Sequence, residues 1–313
     1  MHIQTVTGIV PVEAITMVDA HAHVWITPPK GVAPKFQFVL NDPRKIEAEL
    51  KDFRTAGGTL LVDCQPGGCG RDGRLLQKLA EAAEVHVTAT TGFHLQQYYP
   101  AEYWLWSATE KAAADYFINE LTTGLRETDG VLAATIKVGY WGKIEGQTRI
   151  LMEAAAEAAR VTGAGLLFHT EEGQNVEALP VFFEDRGLPP SQLYFCHVDK
   201  RPDGGLHQEL AQAGILLGYD TFIRTTYQPD QHVWPLLLEM VQAGYEDFIA
   251  IGLDMARTIY WRQFAGWPGL VALPDDILPR LHHEGLAESV VEKLVGQNVT
   301  RFLAREMLPE MGQ

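Results

Sequence analysis

Long apolar runs are missing from this sequence, and so is any surplus of positive charge. No uninterrupted hydrophobic stretch approaches the roughly 18–20 residues that span a bilayer, so no membrane role is expected. Lys and Arg number 25 against 40 Asp and Glu, a formal net charge of −15. Without excess cations to neutralise phosphates, a nucleic-acid backbone is disfavoured as partner, whereas a small anionic substrate can still be held by a few local arginines. Cysteine is scarce: Cys64, Cys69 and Cys196 show no metal-type spacing and cannot all pair. Cys64 and Cys196 lie in apolar runs and read as buried, while Cys69, within Gly67-Gly68-Cys69-Gly70, reads as exposed. Residues 1–12 lack a basic segment followed by a long apolar core, so no signal peptide is expected and the expected compartment is the cytoplasm. The glycine-rich stretch Gly67–Gly73 has no Walker Lys-Ser/Thr, and no Gly-x-Gly-x-x-Gly follows the first strand.

What is present is an alternation. Eight short apolar runs, Ile15–His23, Leu60–Gln65, His86–Phe93, Leu132–Val138, Gly165–His169, Leu193–His197, Ile215–Tyr219 and Phe248–Asp254, read as strands. Between them, a helix opening at Asp42-Pro43 and stretches Leu75–Ala83, Glu110–Leu121, Thr148–Val161, Val176–Arg186, Leu206–Ala213 and Val233–Ala243 show helical spacing. Asp275–His283 and Glu288–Arg305 extend the helical content. Eight strands alternating with helices, without a linker or composition break, predict one (β/α)₈ TIM barrel over residues 1–313.

In such a barrel, chemistry sits at the carboxyl ends of the strands. Strand one ends in His21-Ala22-His23, whose imidazoles share a face in an extended chain. Strand four carries Lys137 in an apolar run, and strands five, six and eight end in His169, His197 and Asp254. Singly, each has a plain structural reading: a core histidine, a strand-end lysine, a helix-capping aspartate. Together, on five strands of one barrel, they point to a metal centre, because an ionisable group closing an apolar run is costly without a partner.

These residues resemble the phosphotriesterase-related branch of the amidohydrolase superfamily, and the resemblance runs along nearly the whole chain. Thr5-Val6-Thr7-Gly8 resembles the family's opening hairpin, Gly92-Phe93-His94 with Tyr98-Tyr99-Pro100 its third strand, and His169-Thr170-Glu171-Glu172-Gly173 its His-Thr-x-x-Gly motif. Asn298-Val299-Thr300-Arg301-Phe302-Leu303 resembles its closing Asn-Pro-x-x-x-Leu, with Val299 in place of proline, and Ala22 replaces the glutamate of His-Glu-His. The resemblance implies that His21, His23 and Asp254 hold one divalent metal and His169 and His197 a second. It further implies that Lys137, carboxylated by carbon dioxide, bridges them beside a hydroxide. Nitrogen and oxygen ligands without thiolates suit Zn²⁺, the first expectation, with Mn²⁺, Co²⁺ or Ni²⁺ as alternatives. Such ions activate water and polarise the substrate, with Asp254 taking and passing on the proton. Many relatives are dimers, so a homodimer is an expectation.

The loops after strands seven and eight contain Arg224, Tyr227, Arg257 and Tyr260, cations and phenols suited to an anionic substrate, and His94 ends strand three close enough to join them. Their pattern resembles the subgroup that opens phosphorylated sugar lactones, so a lactonase acting on a small anionic sugar lactone is expected. A phosphotriesterase would want an apolar pocket, for which Trp104, Trp106, Trp141 and Trp261 are candidates. A TatD-like nuclease would carry glutamate where Lys137 stands, and a metal-retaining small-molecule binder is the non-enzymatic alternative. His2, His86, His207, His232, His282 and His283 read as structural.

Overall fold

The computed structural model describes residues 1–305. It opens with an antiparallel hairpin, β1 (His2–Thr5) and β2 (Gly8–Pro11), paired through Thr5 and Gly8. Parallel strands follow: β3 (Val18–Ala22), β4 (Leu60–Asp63), β5 (His86–Thr88), β6 (Thr90–Phe93), β7 (Thr135–Tyr140), β8 (Leu166–Thr170), β9 (Leu193–Cys196), β10 (Leu216–Tyr219) and β11 (Ile249–Ile251). The ladders run β3-β4-β5 and β6-β7-β8-β9-β10-β11, and Asp254 N donates to His21 O at 2.8 Å where β11 meets β3. This is the (β/α)₈ barrel.

The third strand is where the structure departs most from the sequence reading. The run His86–Phe93 divides at Ala89 because its two halves serve different neighbours: β5 pairs with β4 and β6 with β7. The fourth run starts at Thr135 instead of Leu132. The long tail helix read over Glu288–Arg305 is three pieces: Glu288–Glu292, a π-helical turn Lys293–Gln297, and Asn298–Leu303. Arg305 has left the helix and bridges back to His2. The expectation that Cys69 is exposed is also corrected. The loop folds inward and buries it, with its thiol 3.2 Å from Pro66 O and from Gln65 Nε2.

The helices begin where capping chemistry says they should. Asp42 accepts from Arg44 N and Lys45 N before Pro43–Thr55, Asp72 caps Gly73–Ala83, Thr109 caps Glu110–Thr122, and Asp203 caps Gly204–Gln212. Gly146–Thr162 stops at Gly163, in the left-handed region at φ 71°. Inside the barrel, Val18, Ala20, Leu60, Val62, Leu167, Tyr194, Leu216 and Ala250 pack in one cluster, floored by Ile3 of the hairpin and Val299. Asn298 joins the chain's end to this structure, its amide donating to Glu246 O and Ile249 O at the foot of β11. Among the described residues no helix is long and apolar enough to cross a membrane.

Between β4 and the next helix, Arg71 is buried and donates to Glu120, Glu127 and Thr90 O. It therefore pins the second loop, which supplies a wall of the site, to the third strand and its helix. Removing one member of a buried ionic cluster strands the others. Arg71→Met is expected to lower unfolding free energy by about 3–5 kcal/mol in a denaturant titration. Adding Glu120→Gln and Glu127→Gln should recover part of that loss; an unchanged midpoint in the single variant would show that the cluster carries no stability.

Candidate active site

The site is assembled where strand ends meet. On β3 the pairing with β4 slips between Asp19 and Ala22, so that one extra residue sits on β3 in the stretch Ala20–His21. Such a bulge re-aims the side chains that follow it. Two glycines allow the neighbouring strands to close in. A Cβ at Gly252 would stand 2.7 Å from His21 N, and one at Gly92 would stand 2.1 Å from Lys137 O. His197 and Asp254 both hold left-handed backbone, at φ 62° and 46°, a conformation uncommon for non-glycine residues and concentrated at functional sites.

His21, His23 and Asp254 come together as the sequence suggested, with Asp254 Oδ1 3.7 Å from His21 Nε2 and 3.4 Å from His23 Nε2. The His169 and His197 rings face each other edge-on at 4.9 Å, and His197 lies 4.6 Å from His21. Lys137 is fully buried, and its charge acts on His21, His94 and His169 around it.

Hydrogen bonds on the far side of each ring decide which nitrogen faces inward. Asp220 accepts from His21 Nδ1 at 2.9 Å and from His197 Nδ1 at 2.8 Å; Gln65 Oε1 accepts from His23 Nδ1 at 2.9 Å. Glu171 accepts from His169 Nε2 at 3.1 Å. A carboxylate can only accept, so the rings donate there. That leaves lone pairs on Nε2 of His21, His23 and His197 and on Nδ1 of His169. Burial pushes His169 down to about 4 and His197 well below its usual range, so both are neutral at pH 7, the ligating form. Burial opposes ionisation of Asp254, but Arg224 and the histidines hold its carboxyl well below the usual carboxylate range. Lys137 Nζ and His21 Nε2 are buried polar atoms with no hydrogen-bond partner among the described residues. His21 is different: against burial, Cys64, Asp254 and Asp220 push it up to about 10, so a cation binding there would displace a proton. Two neutral imidazoles, an ionised carboxylate and unsatisfied nitrogens form a donor set that fits divalent cations.

A cavity opens above this cluster. Its walls include His94, Lys200, Arg224 and Arg257 on the polar side, and Ile26, Phe36, Phe38 and Tyr98 on the apolar side. Arg224 does not stand free: it donates to both the carbonyl and the carboxylate of Asp254. Tyr227 and Tyr260 are absent from the cavity walls. Tyr260 lies under Arg224, ring to guanidinium 5.3 Å, and Tyr227 lies under Lys200 at the same distance. His94 reaches the cavity, its ring tilted against those of Tyr98 at 4.4 Å and His169 at 4.6 Å. None of the four candidate tryptophans lines it; Trp261 is buried and bonded to Met255 O, and Trp141 is exposed elsewhere.

Sequence reasoning missed Asp220, Lys200, Gln65 and Glu171 as parts of the site. Asp220 carried a usable signal, since it closes the apolar run of β10 just as Asp254 closes that of β11. Gln65 closed the second apolar run as read, but a neutral amide there did not point to a histidine partner, and Lys200, in the turn after β9, carried no signal.

Residues 1–303 match the Phosphotriesterase family, and the chain belongs to it. It is 26% identical to a phospho-furanose lactonase of Mycoplasmopsis synoviae (strain 53), over 96% of this chain and 91% of that one. It is 22% identical to an aryldialkylphosphatase of Saccharolobus solfataricus, over 92% and 94%. The solved structure of a lactonase from Listeria monocytogenes superposes with a TM-score of 0.92 at 22% identity, covering 98% of this chain and 100% of that one. Family and donor set together define a metal-dependent hydrolase.

Asp220 offers a direct test of how the rings are held. In Asp220→Asn the amide can accept from only one histidine and donates to the other. The second ring then moves its proton to Nε2, where a metal would bind. Metal affinity, measured by competition with a chromophoric chelator, is expected to fall about ten- to hundredfold. Wild-type affinity in this variant would remove the tautomer argument.

Proposed function

We propose that this protein is a lactonase that hydrolyses a small anionic, phosphorylated sugar lactone. In this reading His21, His23 and Asp254 hold one divalent ion, His169 and His197 the other, and carboxylated Lys137 bridges them, Zn²⁺ being the first choice. When bound, the ions supply Lewis acidity and lower the pKa of water. Asp254 accepts the proton released as water's oxygen adds to the carbonyl carbon, and delivers it to the ring oxygen as the C–O bond breaks. His94 and Tyr98 border the reacting group, and Arg257, at the mouth, receives the phosphate, with Tyr260 behind Arg224 and Tyr227 behind Lys200.

The observation that carries the substrate class is the cavity wall of Lys200, Arg224 and Arg257 beside the donor cluster, in a chain of net charge −15. A phosphotriesterase acting on neutral esters has no use for the two cations, Lys200 and Arg257, that Asp254 leaves uncommitted there, and the tryptophans that would favour it lie elsewhere. The similarity to a phospho-furanose lactonase supports the same choice. The overall acidity disfavours a nucleic-acid substrate, and the reading treats residues 1–313 as one cytoplasmic hydrolase unit acting on a small molecule, a homodimer as many relatives are. Metal-reconstituted protein assayed against sugar lactones, their phosphates, phosphotriesters and phosphodiesters tests it; turnover of phosphotriesters alone would overturn it.

Two variants probe the parts. Lys137→Ala is expected to lose the bound metal, from about two ions per chain in a two-metal site. A short carboxylic acid supplied with metal should restore part of it by standing in for the carbamate; wild-type metal content by elemental analysis would give the lysine another role. Arg257→Met is expected to lower kcat/KM for the phosphorylated lactone by roughly ten- to hundredfold, chiefly through KM, and to spare the uncharged lactone. Arg257 is the clean test because Arg224 is tied to Asp254. Equal losses on both lactones would remove the anion contact.

A further inference from the structure

Lys200 has no place in the reading so far except as one of three cations. It ends the turn Val198–Lys200, three residues after His197, and its side chain reaches the cavity wall beside His169, His197 and Asp254. Its ammonium lies over the Tyr227 ring at 5.3 Å and, among the described residues, forms no hydrogen bond or ion pair. Burial works against the charge, but the fields of Asp254 and Asp220 hold it protonated. This half-buried ammonium faces the cavity with no acceptor among the described residues, so it is free to donate to an anionic group bound there.

The other two cations are disposed differently. Arg224 is occupied by Asp254, and Arg257 is solvent-exposed at the mouth. The cavity thus has an inner cation beside the donor cluster and an outer one at its rim. A phosphorylated lactone has matching polarity, with its reacting carbonyl at one end and its phosphate at the other.

We propose that Lys200 is a substrate-contacting residue that binds the carboxylate created when the lactone opens, and the oxyanion that precedes it. This rests on the lactonase reading. In the reaction, water's oxygen adds to the carbonyl carbon and the bond from that carbon to the ring oxygen breaks. The ring oxygen leaves as the hydroxyl, taking the proton that Asp254 received, and the second proton of the water is lost to solvent as the acid ionises to the carboxylate. Lys200 keeps its protons throughout and donates a hydrogen bond to the oxygen that gains charge, so its contact is strongest after the neutral carbonyl has become an anion.

The test uses metal-reconstituted protein and two probes, a five-carbon aldonic acid and the same acid carrying a terminal phosphate, with binding measured by calorimetry. Lys200→Met is expected to weaken both by about ten- to hundredfold, because both carry the carboxylate. Lys200→Arg should restore part of the affinity, metal content should stay at the wild-type level, and on the lactone kcat should fall more than KM rises. Arg257→Met, in contrast, should weaken only the phosphorylated acid. Undiminished binding of both acids in Lys200→Met and in a second variant, Lys200→Gln, would overturn the proposal, as would a loss confined to the phosphorylated acid. If no lactone is hydrolysed, the lactonase reading fails, while the binding data still decide whether Lys200 holds a carboxylate.

Discussion

The Asp220 carboxylate accepts from His21 and His197 at once, and the rest of the site depends on that double contact. The two rings come from distant parts of the sequence, on β3 and just after β9, and one buried anion sets both tautomers. The carboxylate stays ionised because the two histidines hold it well below the usual range against the effect of burial. With Nδ1 of each ring engaged, Nε2 is turned to the interior, where Lys137 and Asp254 converge. Buried aspartates secure the frame around it in the same manner: Asp19 Oδ1 accepts from His21 N and Leu253 N, Asp63 from Val24 N and Gln65 N, and Asp199 from Asp220 N and Thr221 N. Each bonds the backbone at a strand end, so the ligating side chains project from fixed main chain.

That arrangement has a cost. A fully buried lysine with an unpartnered Nζ, an orphaned imidazole nitrogen and two residues in left-handed backbone all oppose folding. The barrel carries them because its interior and the strand–helix layers are densely apolar, and because a cation bound only by the folded chain adds its own stabilisation.

The parts that were legible in sequence are those written in residue type at a fixed place on a strand. His21, His23, Lys137, His169, His197 and Asp254 each interrupt or end an apolar run, and the barrel follows from eight such runs. The split of the third strand at Ala89 was not legible, because which neighbour each half pairs with is decided by the closure of the barrel. The burial of Cys69 follows from the path of a glycine-rich loop, which composition does not specify. Arg224 shows the limit most clearly. Its residue type suggested an anion contact, and the structure gives it an anion, but from Asp254 of the same chain.

The pairing of Arg224 with Asp254 also explains how an acidic protein can present a positive cavity without losing the carboxylate that its chemistry needs. Of the cations on the wall, one is committed to Asp254 and lowers that group's affinity for protons; Lys200 and Arg257 remain to face a ligand. Coulomb attraction inside a partly water-excluded cavity is stronger than at the surface, so Lys200 on its wall, with Arg257 at its rim, outweighs for a ligand bound there a distant excess of exposed acidic side chains. Those acidic groups are screened by salt over about 10 Å. The net charge of the chain therefore governs what large polyanions it repels, while the sign of its cavity is set locally by which cations lack an internal partner.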